Sequence, residues 1–195
     1  MELTTLLTAD DLLSVPDPDL PHELLRGVLR RVMPASGAHG LVVGRVLLAL
    51  GVHVQAQDLG ELFSEATGFL LARNPDTVLC PDVSFVVRER LAAAVLERPF
   101  PELAPDLAVE VLSPSDRAAA VRAKVGEYLA AGVRAVWVLD PATRTVRVHH
   151  RGGRELLLSE QDVLDGGNVV PGFRCSVAPL FAALPRSTRM SSSVI

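Results

Sequence analysis

Residues 105–141, PDLAVEVLSPSDRAAAVRAKVGEYLAAGVRAVWVLDP, constrain the fold more tightly than any other stretch, because they read as strand, helix and strand in direct succession. Residues 106–112 have the alternation of a strand, yet a glutamate, Glu110, stands inside it where an apolar side chain is expected. Ser113-Pro114-Ser115-Asp116 then stops the strand, and Ser115 or Asp116 is expected to cap the helix that follows. Gly132 ends that helix, since glycine takes the left-handed position past a C-terminus at little cost. Residues 133–140 form the second strand, closed by the Asp140-Pro141 turn.

Inside the helix, Val121, Lys124, Val125, Tyr128 and Leu129 follow the i, i+3, i+4, i+7, i+8 spacing of a core-facing stripe. Lys124 is the sole lysine among 19 basic residues, the other 18 being arginine. Lysine differs from arginine in carrying a compact ammonium whose pKa responds to burial. A lone lysine on such a face is most simply one that lays its stem on the core and its head in water. With Glu110 one connection away, a functional role is the stronger reading.

Composition narrows the field. The 195 residues suffice for one α/β domain, expected over 1–184 with a flexible tail at 185–195. A net charge of -4 argues against a broad basic face gripping duplex DNA, though not against a local basic cleft. Cys80 and Cys175 lack metal-ligand spacing and point to a reducing compartment. With no secretory signal and no uninterrupted apolar run of spanning length, a cytoplasmic protein free of the membrane is expected.

The remaining elements follow from local pattern. A short helix capped by Thr8 is expected over 8–15, a loop at 16–19, a hairpin or a strand with a tight turn over 23–33, interrupted by Gly27, and a break at 34–37. Residues 39–57 read as a helix buried on most sides, with Gly44 and Gly51 on one face where a neighbour approaches closely. Strands are expected at 61–66, 68–71 and 80–87, a helix at 88–96 and a proline-rich loop at 99–105. A hairpin around Gly152-Gly153, a turn at 165–168 and a terminal helix at 177–184 complete the chain.

Three groups stand out: Asp82 at the mouth of one strand, Glu110 inside the next and Lys124 on the following helix. Along residues 106–112, Asp106, Ala108, Glu110 and Leu112 point one way and Leu107, Val109 and Val111 the other. Two buried carboxylates on neighbouring strands repel unless a cation lies between them, and Mg²⁺, or Mn²⁺, is the natural ion. Such an ion polarises a phosphodiester and acidifies water, while Lys124 positions the water or stabilises charge developing on phosphate.

This pattern resembles the PD…(D/E)xK nuclease superfamily and, more closely, its bacterial Uma-two family of restriction endonucleases. The resemblance spans roughly residues 8–181 and is carried by Asp10-Asp11-Leu12-Leu13, Glu23-Leu24-Leu25-Arg26-Gly27, His39, and Pro81-Asp82-Val83-Ser84-Phe85-Val86. It continues through residues 105–115, Lys124 with Tyr128, Ala131-Gly132-Val133, residues 136–141 and Val170-Pro171-Gly172-Phe173. It implies a restriction-endonuclease-like α/β fold: a mixed central sheet flanked by helices, with additional antiparallel hairpins. It further implies Asp82 and Glu110 as metal ligands, Glu23 as an outer metal ligand and a catalytic lysine on the helix, matched by Lys124. The superfamily's usual lysine position is Leu112 here, a family aspartate four residues before Lys124 is Ala120, and one before the early glycine is Arg26.

Among other residues, Glu65 reads as solvated or capping, His39 as a helix-start residue and Tyr128 and Trp137 as core. The expected function is a Mg²⁺-dependent endonuclease acting on DNA, with Asp82, Glu110 and Lys124 catalytic. The rival reading is a catalytically degraded nuclease scaffold that binds nucleic acid or protein. A homodimer through the Gly44/Gly51 face and the apolar hairpins is expected, because cutting both strands of a duplex requires two sites.

Overall fold

A computed structural model of the chain describes residues 6–15, 22–32 and 36–183. The expected loop at 16–19, the expected tail and parts of two expected segments (residues 33–35 and 184) lie outside the described residues. In chain order the elements are α1 Ala9–Leu12, β1 His22–Leu25, β2 Val28–Arg31, α2 Gly37–Ala56, β3 Gly60–Ser64, β4 Phe69–Ala72, β5 Thr77–Leu79 and β6 Val83–Val87. After a 3₁₀ turn at Arg88–Arg90 follow α3 Ala93–Leu96, β7 Leu107–Val111, α4 Ala118–Ala131, β8 Ala135–Asp140, β9 Thr145–His150, β10 Glu155–Leu158, β11 Val163–Asp165, β12 Arg174–Ser176 and α5 Val177–Leu180.

Six strands form the main sheet in the order β10-β9-β8-β7-β6-β3. It is mixed: β7 and β8 run parallel, and every other neighbouring pair is antiparallel. A parallel pair needs a long crossover, and α4 supplies it. The alternation expected along β7 is observed. Leu107, Val109 and Val111 enter a core with Trp137, Leu139 and the Val42, Val46, Leu50 and Val54 stripe of α2, while Ala108 packs on the other side with Val125 and Tyr128 of α4. The helix stops at Gly132, whose φ of 106° is the left-handed value anticipated.

Four strands, β2-β1-β5-β4, make a second antiparallel sheet that packs Leu25 and Leu79 against α4. Its β1–β2 hairpin turns through Arg26 and Gly27, both at positive φ (51° and 75°). Such two-residue turns favour Asn-Gly or Asp-Gly. Arg26 is held there by Glu127 of α4, whose carboxylate accepts from its Nε at 2.6 Å, and by the Thr77 hydroxyl, which accepts from its backbone N–H.

Several expectations are corrected. The N-cap of α4 is Arg117 without a side-chain cap, because the Asp116 carboxylate accepts from the Ser113 backbone N–H instead. Residues 80–87 are not one strand: β5 ends at Leu79 and belongs to the small sheet, and β6 begins only after Asp82. The helix expected at 88–96 is split at Leu91, where tertiary contacts override propensity: Arg88 pairs with Asp58 and Arg90 with Asp106 and the Ala104 carbonyl. Strands β11 and β12 flank the expected 165–168 turn. Helix α2 is buried along one stripe, not on most sides: Leu41, Leu48 and Val52 are 51%, 68% and 64% exposed, and nothing approaches Gly44. With a mean hydropathy of 1.5 over an 18-residue window, the 20-residue α2 is long and apolar enough to cross a membrane by length and composition alone.

Candidate active site

The site forms at the end of β7, where strands and helices deliver five polar side chains to one place. The β6–β7 register pairs Val83 with Val109, so one step further outward Asp82 stands beside Glu110. The Asp82 carboxylate is fixed by the Val111 backbone N–H, which donates to Oδ2 at 2.6 Å. On α4, Lys124 and Tyr128 lie one turn apart and both reach Glu110. Lys124 Nζ is 3.1 Å from its carboxylate oxygens, and the Tyr128 hydroxyl donates to Oε1 at 2.7 Å. Glu23, from β1, completes the group: its Oε1 is 3.0 Å from Lys124 Nζ and also accepts from the Cys80 backbone N–H at 2.9 Å.

Two carboxylates thus share one ammonium, and a third stands beside them. Burial and the neighbouring Glu110 charge push Asp82 up to about 8. Burial likewise raises Glu110, against the lowering pull of Lys124 and with a further upward push from Glu23. Burial opposes the Lys124 ammonium, but Glu110 and Glu23 outweigh it and hold its pKa above the usual lysine range. Tyr128, fully buried and facing Glu110, is pushed well above the usual phenol range. Burial also lifts the Cys80 thiol, with Glu23 adding to it, to about 12, which makes it a packing residue rather than a nucleophile.

The sequence reading brought Asp82, Glu110, Lys124 and Glu23 to notice, and the fold gathers all four. It undervalued two others. Tyr128 is core, but it also carries a hydrogen bond to Glu110. His39, in the first turn of α2, has its backbone N–H on the Ser36 hydroxyl and its Nε2 3.1 Å from Asp82 Oδ1. Burial lowers its pKa, opposed by the charges of Asp116 and Glu65, which favours the neutral ring. Glu65 is exposed just past β3, and its charge acts on both Asp82 and His39. Ala120, one helical turn before Lys124, offers no carboxylate; Glu23 and Glu110 partner the lysine instead.

The donor set suits a hard divalent cation. Burial destabilises both carboxylates as anions, with Glu110 raising Asp82 further and Glu23 raising Glu110 further, which a cation relieves. Among the described residues no three His, Cys, Asp or Glu side chains form a ready-made metal cage. An open site is nonetheless what Mg²⁺ uses, since it binds through one or two carboxylates and keeps several waters.

A mixed sheet flanked by helices, with two acids and a lysine at the end of its central strand, defines a restriction-endonuclease-like α/β domain. The chain matches the family model described as "Putative restriction endonuclease", Uma2, over residues 9–178, and it belongs to that family. Its fold is similar to a crystal structure from Anabaena variabilis ATCC 29413, titled as a "putative nuclease belonging to DUF820". That likeness has a TM-score of 0.77 and 20% identity, and covers 90% of this chain and 97% of the other. None of the curated proteins matches the chain.

Proposed function

We propose that the protein is a metal-dependent nuclease that hydrolyses phosphodiester bonds of DNA, with Mg²⁺ or Mn²⁺ as its cofactor. The observation that carries this reading is the excess of acids over cations at the end of β7, where Glu110 and Glu23 share the Lys124 ammonium and Asp82 stands beside Glu110. Asp82 and Glu110 would hold the ion, with Glu23 in an outer role. Bound there, a divalent ion supplies Lewis acidity toward phosphate and acidifies water.

The chain's own groups do the positioning. The Val111 N–H and the Tyr128 hydroxyl fix the two acids, so little reorganisation remains when substrate arrives. Glu23 and Glu110 keep Lys124 protonated and aimed at the site, where its charge orients the attacking water or stabilises the developing phosphorane charge. Helix α2 presents an exposed apolar face of Leu41, Gly44, Leu48 and Val52, beside which Arg45 turns its guanidinium to the Leu180 and Ala182 carbonyls. We assign that face to a homodimer, which would set two sites against a duplex; a monomeric mass by light scattering at micromolar concentration contradicts it.

The test of the nuclease reading is cleavage of single- and double-stranded DNA with Mg²⁺ or Mn²⁺, wild type beside Lys124→Ala. Metal-dependent cleavage by the wild type and its loss in the variant support the reading. Binding without cleavage by either protein supports instead the non-catalytic nucleic-acid-binding scaffold.

A further inference from the structure

His39 has a geometry that helix capping does not explain. Its side chain is only 12% exposed, and neither ring nitrogen has a hydrogen bond. Yet Nε2 stands 3.1 Å from Asp82 Oδ1, within ion-pairing distance. A buried imidazole beside a carboxylate ordinarily forms a hydrogen bond, because a buried polar atom without a partner is costly. At 3.1 Å without one, the ring nitrogen's N–H or lone pair is turned off the line to Oδ1, as it is when two donors face a common third atom. In a six-coordinate site with bonds of about 2.1 Å, two adjacent donor atoms lie about 3.0 Å apart. The separation of Nε2 and Oδ1 matches that edge.

From this juxtaposition of an unpartnered imidazole and the Asp82 carboxylate we infer that His39 is a direct ligand of the divalent cation, and that it tunes the site toward Mn²⁺ over Mg²⁺. The inference rests on the cation site of the nuclease reading and adds its third donor and its metal preference. Carboxylate and water oxygens serve Mg²⁺ and Mn²⁺ alike, whereas an imidazole nitrogen is a poor ligand for the hard, oxygen-seeking Mg²⁺ and so penalises Mg²⁺ more than the first-row transition ion. Helix α2 places the ring: the Ser36 hydroxyl accepts the His39 backbone N–H, and the Val42, Val46, Leu50 and Val54 stripe anchors the rest of the helix to the sheet. The carboxylate is fixed independently by Val111, so the two donors come from elements that do not move together locally. Glu110, with oxygens on Lys124 and Tyr128, joins as the acid of the adjoining strand, and waters fill the open positions.

The experiment loads the full chain with Mn²⁺ or Mg²⁺ alone, in the absence of nucleic acid, for wild type, His39→Gln, His39→Ala and Asp82→Asn. Pulsed electron spin echo on the Mn²⁺ form should show nitrogen modulation from one imidazole in the wild type, absent from both His39 variants. Calorimetric titration should show Mn²⁺ affinity falling at least tenfold in the His39 variants, with Mg²⁺ affinity changing less than threefold. Circular dichroism and the melting temperature confirm that the variants are folded; His39→Ala serves if the glutamine itself coordinates. Wild type that binds Mn²⁺ without nitrogen modulation overturns the inference and leaves the nuclease reading standing. An equal loss of both metals in the His39 variants also overturns it, since that marks a role in shaping the site only. Wild type that binds neither ion overturns the inference and the nuclease reading together.

Discussion

Strand β7 has a buried acid at each end, and the two are neutralised in opposite ways. Asp106, one residue ahead of the strand, meets two guanidinium groups, Arg90 at 2.9 Å and Arg134 at 3.6 Å, and accepts from the Val87 backbone N–H at 3.0 Å. Glu110, near the far end, shares a single ammonium with Glu23 and stands beside Asp82. One carboxylate thus has two cations, while three carboxylates have one. The first arrangement is closed and ties β6, β7 and the start of β8 together. The second holds more acids than cations at partly buried positions, which raises Asp82 and Glu110 at a cost in stability that a bound cation would relieve. Stability and chemistry are divided between the two ends of a five-residue strand.

The largest difference should come from neutralising each acid in turn. Glu110→Gln is expected to lower cleavage by on the order of 10²- to 10³-fold in a folded protein. Asp106→Asn should leave cleavage per folded molecule near wild type and cost on the order of 2–3 kcal/mol in urea unfolding, since it strands two arginines. A reversed outcome would break the division. The cations sharpen it: Lys124→Met should reduce cleavage by about 10²-fold. Arg134→Met, with Arg90 still on Asp106, should cost under about 1 kcal/mol because that pair is half-exposed.

A pH series probes the surplus charge directly. Asp82 is raised to about 8 from an ordinary value of 3.8, so between these values the native state holds a proton that the unfolded chain has released. Stability present below pH 4 is therefore lost as pH rises toward 8. In chelator-treated protein the wild-type urea midpoint should fall between pH 5 and pH 8, and Asp82→Asn should fall less. Equal slopes would remove Asp82 from the imbalance. Tyr128→Phe, like Arg134→Met, should have a small effect, about 1 kcal/mol through the lost bond to Glu110, with the thermal unfolding midpoint as its measure.

Much of the site was legible because its key spacings are local. Strand alternation set the face of Glu110, and helical periodicity set Lys124 and Tyr128 on one stripe facing it. Gly132 marked where α4 ends. What escaped depends on distant partners. The family resemblance marks Glu23, but its contact with Lys124 is hidden in the sequence, since it exists only because β1 pairs with β5, Leu24 against Val78, and β5 is too short to announce itself. Nothing near His39 in sequence reveals that α2 aims its ring at Asp82 across the end of the sheet. Exposure misled as well: the apolar run of residues 39–57 reads as a buried helix, but the sheet covers only one side of it.

The most direct test of the imbalance is thermal unfolding at pH 7.5 with and without Mn²⁺, for wild type, Asp106→Asn and Glu110→Gln. A ligand that binds only the folded state raises the midpoint in proportion to its affinity. Wild type and Asp106→Asn should gain a clear, saturable increase with Mn²⁺, and Glu110→Gln should gain little or none. A midpoint that Mn²⁺ leaves unmoved in the wild type, or moves equally in all three proteins, would contradict the assignment of a cation to the far end of β7.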